Sequence, residues 1–549
     1  MRSRENACTR WGTISSRLTV AHALERIGGH SVLQQGTSRR APAIVDTAGD
    51  VERSARAPRT IAEMVLWLIP LALSAVVYFP ITQNYFFADD FVHLFRMENE
   101  GLLAYLMIPR GGHLLATFNA IFYASHALFG THAEAYYWLP LFVHLLNVAL
   151  LFSVIRSFTR SARLACFGAA LWGVSPMNEG ALGWFSVFGQ ALVATVLLYL
   201  LAQLARIADG RPVHRYAPAL WCVLLLGACT SFGVGIGVTL VFPLVAFLLL
   251  PPSPTRTRAV RIFAALAVAV PGIYFGLSRL SFILYQPRTP PLIISWSVTT
   301  NLAMLAHLVG WGSTTLLLGQ ATSRLVYPGI GAFAIITVFA AAVLGTLIAA
   351  PPPVKRRLLA CVVLCFGCYA MIVAGRAAFF ANGAQPLMFV TPTRYHYAAP
   401  IPLAIALCVI LAYFDTLAPL HAGVKNALLA GWVALVGGSY LLLGKPIDHH
   451  LAARRETERT VATIRAAIDA AGPHQAVHIR SQKFQGVGPI FVTRQDIFPG
   501  WAGVFVIFFP DNVVDDKPVF FETSDRDVLE AAQAGRRTAT LLVEARRDG

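Results

Sequence analysis

The stretch "IAEMVLWLIPLALSAVVYFPITQNYFFADDFVHLF", residues 61–95, joins a long apolar run to two adjacent acids, Asp89 and Asp90. The apolar run matches the ~20 residues that an α-helix needs to cross a bilayer. The acids follow it between aromatic residues, at a depth where desolvating a charge is costly and ionisable groups tend to be paired or functional. The stretch therefore predicts a membrane span that brings two carboxylates to the membrane surface.

The composition extends this prediction to the whole chain. Of its 549 residues, 56% are hydrophobic and only 13% are charged, compared with about 25% charged residues in soluble proteins. The net charge of +16 is carried mainly by arginine. Because the basic residues cluster in short segments between apolar runs, we interpret them as orientation signals within a bilayer and predict no nucleic-acid partner.

Apolar runs of spanning length recur along the chain and predict an all-α, polytopic membrane domain. We predict eleven spans, near residues 61–82, 134–155, 164–181, 184–205, 217–232, 234–250, 262–284, 327–349, 358–374, 397–414 and 426–443. Basic clusters at 156–163, 206–215, 256–261 and 355–357 fall in alternate connections. By the positive-inside rule these connections and the N-terminus are cytoplasmic, as in a multi-pass protein of a bacterial-type inner membrane.

Two further apolar segments fit the outer surface better than a full crossing. Segment 113–129 carries His113, Asn119 and His126, which suit an outer-face helix. A crossing by segment 297–319 would place the basic cluster at 355–357 outside. We therefore predict an interfacial or re-entrant helix there.

Polar composition at both ends of the chain predicts two additional regions around the membrane domain of residues 59–444. Residues 1–58 are Arg-rich and predict a disordered cytoplasmic arm. Residues 445–549 combine helical patterns near 450–471 and 525–534 with the β-rich runs "AVHIRS", "GVFVIFF", "PVFFE" and "TATLLVE". With eleven spans, this tail is an extracytoplasmic α/β domain.

Carboxylates are scarce in the membrane region, which allows an argument by elimination. The nine acids between Ile61 and Leu443 are Glu63, Asp89, Asp90, Glu98, Glu100, Glu134, Glu179, Asp209 and Asp415. Six of them fall in the first two predicted outer loops, and residues 210–414 contain none. Adjacent acids repel each other, which raises one pKa towards a value useful for a general base. The alternative is that Asp89 and Asp90 cap the helix that begins at "DDFVHLF".

Several motifs, taken in order, resemble one class of enzyme. They are "ADDFVHL" (88–94), "RGGHLLATFNAIFYASHALFG" (110–130), "LPLFVHLLNVALLF" (139–152), "SPMNEGALGWFSVFGQAL" (175–192) and "TPTRYHYAAPIPLAIAL" (391–407). Together they resemble the GT-C glycosyltransferases, which include protein O-mannosyltransferases and lipid-A aminoarabinose transferases. The fourth and fifth motifs resemble the "HPxxxEAVAW" and "RYLYLP" elements of the branch with tetratricopeptide tails.

The sequence also departs from that branch. Ser175 replaces the His of the "HP" element, Gln190 replaces the Arg of its "GR" element, and no tetratricopeptide repeat follows residue 444. The sugar and the acceptor, whether protein, lipid or glycan, are therefore not carried over.

The resemblance implies transfer of a sugar from a polyprenyl-phosphate donor to an acceptor hydroxyl on the outer face. It implies Asp89 as the general base and Asp90 as a second catalytic acid that orients the base or the acceptor. Members of this class often work without metal and no tight ligand spacing is present, so we predict no cofactor.

Outer-side arginines are the candidates for binding the donor phosphate, because a guanidinium offers a planar fork of donors. Arg376, Arg394, Arg110 and Arg288 lie on the predicted outer side, and Arg394 leads because "TRYHY" lies at the mouth of the tenth predicted span. Tyr395, Glu179 and His113 complete the predicted substrate-binding set. The alternative for Arg394 is a simple contact with a lipid headgroup.

Two other functions remain open from the sequence. A transporter or lipid flippase also needs many helices and few buried charges, but it typically shows internal repeats and charges near the midplane. An O-antigen ligase or polymerase acts on similar lipid-linked glycans, usually through arginine and histidine in a large later loop.

Overall fold

The computed structural model describes most of the membrane region and short parts of the tail. The described residues are 61–86, 89–99, 101–109, 113–130, 132–285, 295–319, 323, 329–381, 393–443, 466, 470, 476–480, 513–514, 517–521 and 538–542. The predicted arm 1–58, the predicted strand "GVFVIFF" and the predicted helix near 525–534 lie outside them. So does the predicted helix near 450–471, apart from two isolated residues.

Helices dominate the described residues, and short 3-10 turns connect some of them. The α-helices are α1 Ile61–Tyr78, α2 Asp89–Asn99, α3 Leu102–Met107, α4 Ala116–Phe129, α5 Ala133–Thr159, α6 Ala162–Gly173, α7 Glu179–Leu182, α8 Gly189–Ala208, α9 Ala217–Cys229, α10 Val234–Leu249, α11 Pro254–Tyr285, α12 Val298–Leu318, α13 Ile330–Ala349, α14 Pro352–Ala381, α15 Pro400–Leu417 and α16 Ala422–Leu443. The 3-10 turns are Phe79–Gln83, Pro176–Asn178, Phe185–Val187 and Thr393–Tyr395.

Nine helices of the described part are long and apolar enough to cross a membrane, which confirms a polytopic architecture. They run over Ile61–Gln83, Ala133–Thr159, Phe185–Ala208, Pro254–Tyr285, Val298–Leu318, Ile330–Ala349, Pro352–Ala378, Pro400–Leu417 and Ala422–Leu442. Eight of the eleven predicted spans coincide with members of this set.

The other three predicted spans form helices shorter than 18 residues, so nine spans rather than about eleven reach this length among the described residues. Segment 164–181 ends its helix α6 at Gly173, after only 12 residues. Ser175 is extended because it precedes Pro176, and a residue before proline is disfavoured in the helical region. Segments 217–232 and 234–250 form α9 and α10, with 13 and 16 residues.

Ion pairs and hydrogen bonds join several helices at one end of the bundle. Arg156 Nη2 lies 2.7 Å from Glu63 Oε1, linking the end of α5 to the start of α1. Arg160 Nη2 lies 2.5 Å from Asp209 Oδ1, which follows α8. Helix α1 starts at this end of the bundle and leads towards Asp89 at the other. We call the end with Asp89 the site end, and the end with Glu63 and Arg156 the opposite end.

The two segments predicted to lie on the outer surface both form helices. Helix α4 covers most of segment 113–129, and its Asn119 donates from Nδ2 to the carbonyl of Tyr105 at 2.9 Å. Helix α12 has the length and composition of a span, and its C-terminal half contacts α14 and α16. Leu317 accepts from Trp432 Nε1 at 2.6 Å, and Gly312 lies against the hydroxyl of Tyr369. The interfacial or re-entrant placement of this segment stays a prediction.

Small residues let the central helices approach closely. A Cβ placed on Gly237 of α10 would lie 2.0 Å from the carbonyl oxygen of Gly367 in α14. Any side chain here would separate the two backbones, so glycine at this crossing is a packing requirement, as in many membrane helix pairs.

Four strands are described in the tail: β1 Ala476–Arg480, β2 Val513–Val514, β3 Lys517–Phe521 and β4 Thr538–Leu542. They form one sheet in the order β2-β3-β1-β4. Strand β1 is parallel to β3 and β4, whereas β2 is antiparallel to β3. Three of the four predicted β-rich runs thus contain strands, and a folded extracytoplasmic α/β domain stays a prediction.

Candidate active site

The two acids at the start of α2 occupy different environments. Asp90 is fully buried, and its Oδ1 accepts hydrogen bonds from the backbone N–H of Ser186, at 2.7 Å, and from the Ser186 hydroxyl. Its Oδ2 lies 3.5 Å from the hydroxyl of Tyr137. The side chain of Asp89, by contrast, is accessible to solvent. Asp90 therefore ties α2 to the loop before α8, and Asp89 is left available to a substrate.

A cluster of aromatic side chains holds the first two loops together around Asp90. The ring of Phe185 lies 4.9 Å from that of Phe122 and 5.3 Å from that of Tyr136. His93 stacks on Phe122 at 5.0 Å, and its Nδ1 lies 3.0 Å from the Tyr105 hydroxyl. His93 is thus a core residue, and the cluster fixes the direction in which α2 presents Asp89.

Hydrogen bonds from the first span and its extension hold the loop that carries Glu179. The hydroxyl of Tyr78 donates to the carbonyl of Ser175, and Asn84 Nδ2 donates to the carbonyl of Gly183 at 3.2 Å. Glu179 begins α7, is half-buried, and lies within electrostatic range of the hydroxyls of Tyr78 and Tyr440. Glu179 therefore lies beside the turn Thr393–Tyr395, because the backbone of Arg394 in this turn contacts the next residue, Gly180.

Arg394 sits in the 3-10 turn Thr393–Tyr395, which packs directly on the loop after α6. Gly180 touches the Arg394 backbone, and Gln190 Nε2 donates to the Arg394 carbonyl. The guanidinium carbon lies 5.4 Å from the ring centre of Trp184 and 5.1 Å from that of Tyr395. Among the described residues Arg394 forms no ion pair within 4 Å, and its buried Nε has no hydrogen-bond partner. Aromatic rings therefore hold the guanidinium by cation–π contacts, and among the described residues no carboxylate within 4 Å occupies its N–H donors.

Arg376, near the end of α14, brings a second cation to the same aromatic ring. Its guanidinium carbon lies 5.9 Å from the centre of the Tyr395 ring, and its side chain is exposed. Tyr395 itself is buried. Two like charges on one buried ring repel each other, so this pair favours an anion between or beside them.

The pKa of Asp89 depends on its desolvation and on the two arginines. Desolvation by the surrounding protein raises the pKa of Asp89, and the positive charges of Arg394 and Arg376 oppose that rise. Because the side chain still reaches water, partial loss of hydration, and not complete burial, raises the pKa. A carboxylate with a raised pKa that remains accessible has the properties of a general base.

His113 lies near Arg376 at the same end of the bundle. Its ring packs against Gly233, where an added Cβ would lie 3.0 Å from His113 Cε1. Desolvation and then the charge of Arg376 lower the pKa of His113 below its usual value of 6.5. At neutral pH the imidazole is therefore uncharged and carries one donor and one acceptor for a polar ligand.

The predicted residues thus converge, although they come from distant parts of the sequence. Asp89 lies within electrostatic range of Arg394 and Arg376, and Arg376 within range of His113. Arg110 and Arg288 lie outside the described residues.

Sequence reasoning missed the roles of Ser186 and Gly180, because serine and glycine in a loop carry no specific signal. Gln190 was noticed only as a departure from a motif, and the structure places it on the carbonyl of Arg394.

No group of three or more His, Cys, Asp or Glu side chains with metal-binding geometry occurs among the described residues. The absence of a cofactor stays a prediction.

We expect Gly180→Ala to displace the turn that carries Arg394. The added Cβ would lie 2.3 Å from the Arg394 backbone nitrogen and 2.8 Å from its Cα, and neither atom can rotate away. Overpacking of this kind costs about 1–3 kcal/mol. The thermal midpoint of the purified protein should fall clearly. The matched control is Gly227→Ala in α9, where an added Cβ meets nothing within 4 Å. Equal midpoints for the two variants would contradict the tight contact.

Comparison with known proteins gives structural likenesses only. No protein-family model matches the chain, and neither does any curated protein. ArnT from Cupriavidus metallidurans bound to undecaprenyl phosphate is similar at 12% identity and a TM-score of 0.42, covering 90% of each chain. An oligosaccharyltransferase from Archaeoglobus fulgidus, tethered to an acceptor peptide, is similar at 11% identity and a TM-score of 0.37, covering 77% of this chain and 62% of that one. We rest no inference about function on these likenesses, because both TM-scores lie below 0.5.

Proposed function

We propose that this protein is an integral-membrane glycosyltransferase that moves a sugar from a polyprenyl-phosphate donor to an acceptor hydroxyl. The observation that carries the proposal is that an accessible acid, Asp89, lies within electrostatic range of two guanidiniums, of which Arg394 has no carboxylate partner within 4 Å among the described residues. A base and a phosphate-binding cation near each other are the two groups that such a transfer requires.

The position of these groups in the bundle supports a lipid-linked donor. Asp89 follows the end of the first span, and Arg394 precedes the first turn of α15, which begins at Pro400. Both therefore lie at the level of the lipid headgroups, where the phosphate of a membrane-anchored polyprenyl chain would lie. With the site end facing outwards in an inner membrane, as the basic clusters predict, the reaction takes place on the extracytoplasmic face.

The proposed chemistry is a single displacement at the anomeric carbon of the sugar. Asp89 accepts the proton of the acceptor hydroxyl while the oxygen of that hydroxyl bonds to the anomeric carbon. The bond between this carbon and the phosphate oxygen breaks. The leaving polyprenyl phosphate gains a negative charge, which Arg394 and Arg376 stabilise. Asp90 positions α2 through Ser186, rather than taking part in proton transfer.

The remaining predicted residues have roles in substrate binding. Tyr395 holds the two guanidiniums over its ring, and Glu179 and His113 provide hydrogen-bonding groups for sugar or acceptor hydroxyls at neutral pH. The proposal requires no cofactor and no nucleic-acid partner. Its partners are the bilayer, the lipid-linked donor and an acceptor glycan, lipid or protein.

Deletion of the gene in its native host tests this function against the alternatives. We expect loss of one envelope glycan modification and accumulation of a polyprenyl-monophosphate-linked sugar on the outer face. Restoring the wild-type gene should reverse both. The same lipid-linked sugar trapped on the cytoplasmic face would instead indicate a flippase. Accumulation of long lipid-linked polymers would indicate a ligase or polymerase.

A further inference from the structure

Tyr397, three residues after Arg394, lies at the centre of a buried hydrogen-bond chain that the proposed chemistry does not use. Its hydroxyl is 2.9 Å from His144 Nδ1 and 3.2 Å from Asn147 Nδ2, both on α5. His144 Nε2 in turn lies 3.0 Å from the carbonyl of Gly173 at the end of α6. All three side chains are fully buried, so each of these bonds is formed away from water.

The partners assign the direction of every bond in this chain. A carbonyl oxygen only accepts, so the proton of His144 lies on Nε2 and its Nδ1 is an acceptor. The amide of Asn147 donates to the Tyr397 oxygen, and the Tyr397 hydroxyl therefore donates to His144. Asn147 is itself oriented, because its Oδ1 accepts from the hydroxyl of Thr195 at 2.8 Å. The chain is fully satisfied with one orientation for each group, which makes it a rigid support.

The segment 393–397 depends on such supports because its described backbone has few bonds of its own. The N–H of His396 bonds to the carbonyl of Thr393 at 3.0 Å. Gln190 holds the carbonyl of Arg394, and Tyr369 bonds through its hydroxyl to His396 Nδ1 at 2.8 Å. The position of the Arg394 guanidinium thus follows from side chains on α5, α8 and α14.

We propose that Tyr397, through its bonds with His144 and Asn147, is a positioning residue that holds Arg394 in place for the donor phosphate. The inference rests on the proposed function, since it assigns Arg394 to that phosphate. A residue held in this way binds its ligand without first becoming ordered, which is the general source of the affinity gained from preorganisation. Tyr397 itself does not contact the donor.

Binding of a short-chain polyprenyl monophosphate to the full chain in lipid nanodiscs tests this role. We expect Tyr397→Phe to weaken binding about tenfold, because it leaves a buried donor and a buried acceptor without partners. The matched control is Tyr136→Phe, which removes another buried hydroxyl, bonded to the carbonyl of Gly130, but keeps the ring in the aromatic cluster around Asp90. Its affinity should equal that of the wild type.

Two substitutions of His144 separate positioning from a general contribution to folding. Asparagine places its oxygen near the position of Nδ1, so His144→Asn keeps the acceptor for Tyr397 and should bind within about threefold of the wild type. Glutamine places its amide near Nε2, so His144→Gln keeps the bond to Gly173 and should lose affinity as Tyr397→Phe does. A purely structural role predicts similar losses for both.

A double-mutant cycle with Arg394 completes the test. If Tyr397 acts through Arg394, Tyr397→Phe should have no further effect on binding in an Arg394→Ala background. Additive losses, or wild-type affinity in Tyr397→Phe, would overturn the inference while leaving the proposed function intact. Failure of the wild type to bind the lipid phosphate would overturn the proposed function, and the inference with it. If Tyr397→Phe does not fold, Asn147→Ala provides the same comparison, with an expected loss of about threefold.

Discussion

Replacement of Asp89 by asparagine is expected to abolish most of the transfer activity, by about 10²- to 10⁴-fold, while leaving the folded protein intact. The change removes the base, but it keeps the size of the side chain. Because Asp89 is accessible to solvent in the first turn of its helix, asparagine there leaves no buried polar group without a partner. Envelope glycans and accumulated polyprenyl-linked sugar, measured against membrane abundance, report the effect.

The raised pKa of Asp89 adds a second expectation for the same variant. A folded-state pKa above the unfolded value means that the folded protein binds this proton more tightly, so the charged carboxylate opposes folding above that pKa. The thermal midpoint of Asp89→Asn at neutral pH should therefore equal or exceed that of the wild type. The wild-type rate should rise with pH through the raised pKa of Asp89, and above it this acid should impose no further pH dependence.

Asp90→Ala is the contrasting control, because Asp90 is buried and bonded to Ser186. Leaving the N–H and the hydroxyl of Ser186 unsatisfied should lower stability by about 1–3 kcal/mol, and membrane abundance should fall.

Normal glycans with Asp89→Asn at wild-type abundance would show that Asp89 is not the base.

The second large effect is expected at Arg394, whose replacement by alanine should weaken binding of a polyprenyl monophosphate about 30- to 100-fold. Charge-assisted hydrogen bonds to phosphate are worth about 1.5–3 kcal/mol, or about 12- to 160-fold in affinity, and the expected loss lies within that range. Arg394→Lys should lie between alanine and the wild type, because it keeps the charge but loses the planar fork. Direct binding to the full chain in lipid nanodiscs measures all three.

An arginine at the opposite end provides the matched control for Arg394. Arg261 on α11 is exposed and lies within a basic cluster that is predicted to be cytoplasmic, so Arg261→Ala should bind the lipid phosphate as the wild type does. If Arg394→Ala retained full affinity, Arg394 would be only a lipid-headgroup contact, and the phosphate site would have to lie elsewhere.

The loss of the ring contacts with Trp184 and Tyr395 in Arg394→Ala should also reduce stability, by about 1 kcal/mol.

Much of the architecture could be predicted from the sequence, because length and apolarity decide whether a helix crosses a bilayer. Eight predicted spans coincide with candidate spans of the structure. The failures have local causes. In segment 164–181, the apolar pattern continues past Gly173, but Ser175 and Pro176 end the helix. Segment 297–319 has a composition that fits both a span and a re-entrant helix, so composition does not distinguish them.

The amino-acid composition alone shows which charges are rare in the membrane region, and rare charges there mark candidate functional residues. The scarcity of acids singled out Asp89, Asp90 and Glu179, and the basic clusters predict which arginines lie on the outer side. These conclusions follow from the high cost of charge in an apolar solvent, which acts on composition whatever the tertiary contacts are.

The different environments of Asp89 and Asp90 follow from tertiary contacts and not from the local sequence. Adjacent residues at the start of a helix point in different directions, so Asp90 enters the protein and bonds to Ser186, while Asp89 faces solvent near Arg394. The sequence separation of these partners is large, and no local pattern encodes which loop will meet which helix end. The physical reason is that packing of distant helices sets these contacts, as the Tyr397 bonds to α5 also illustrate.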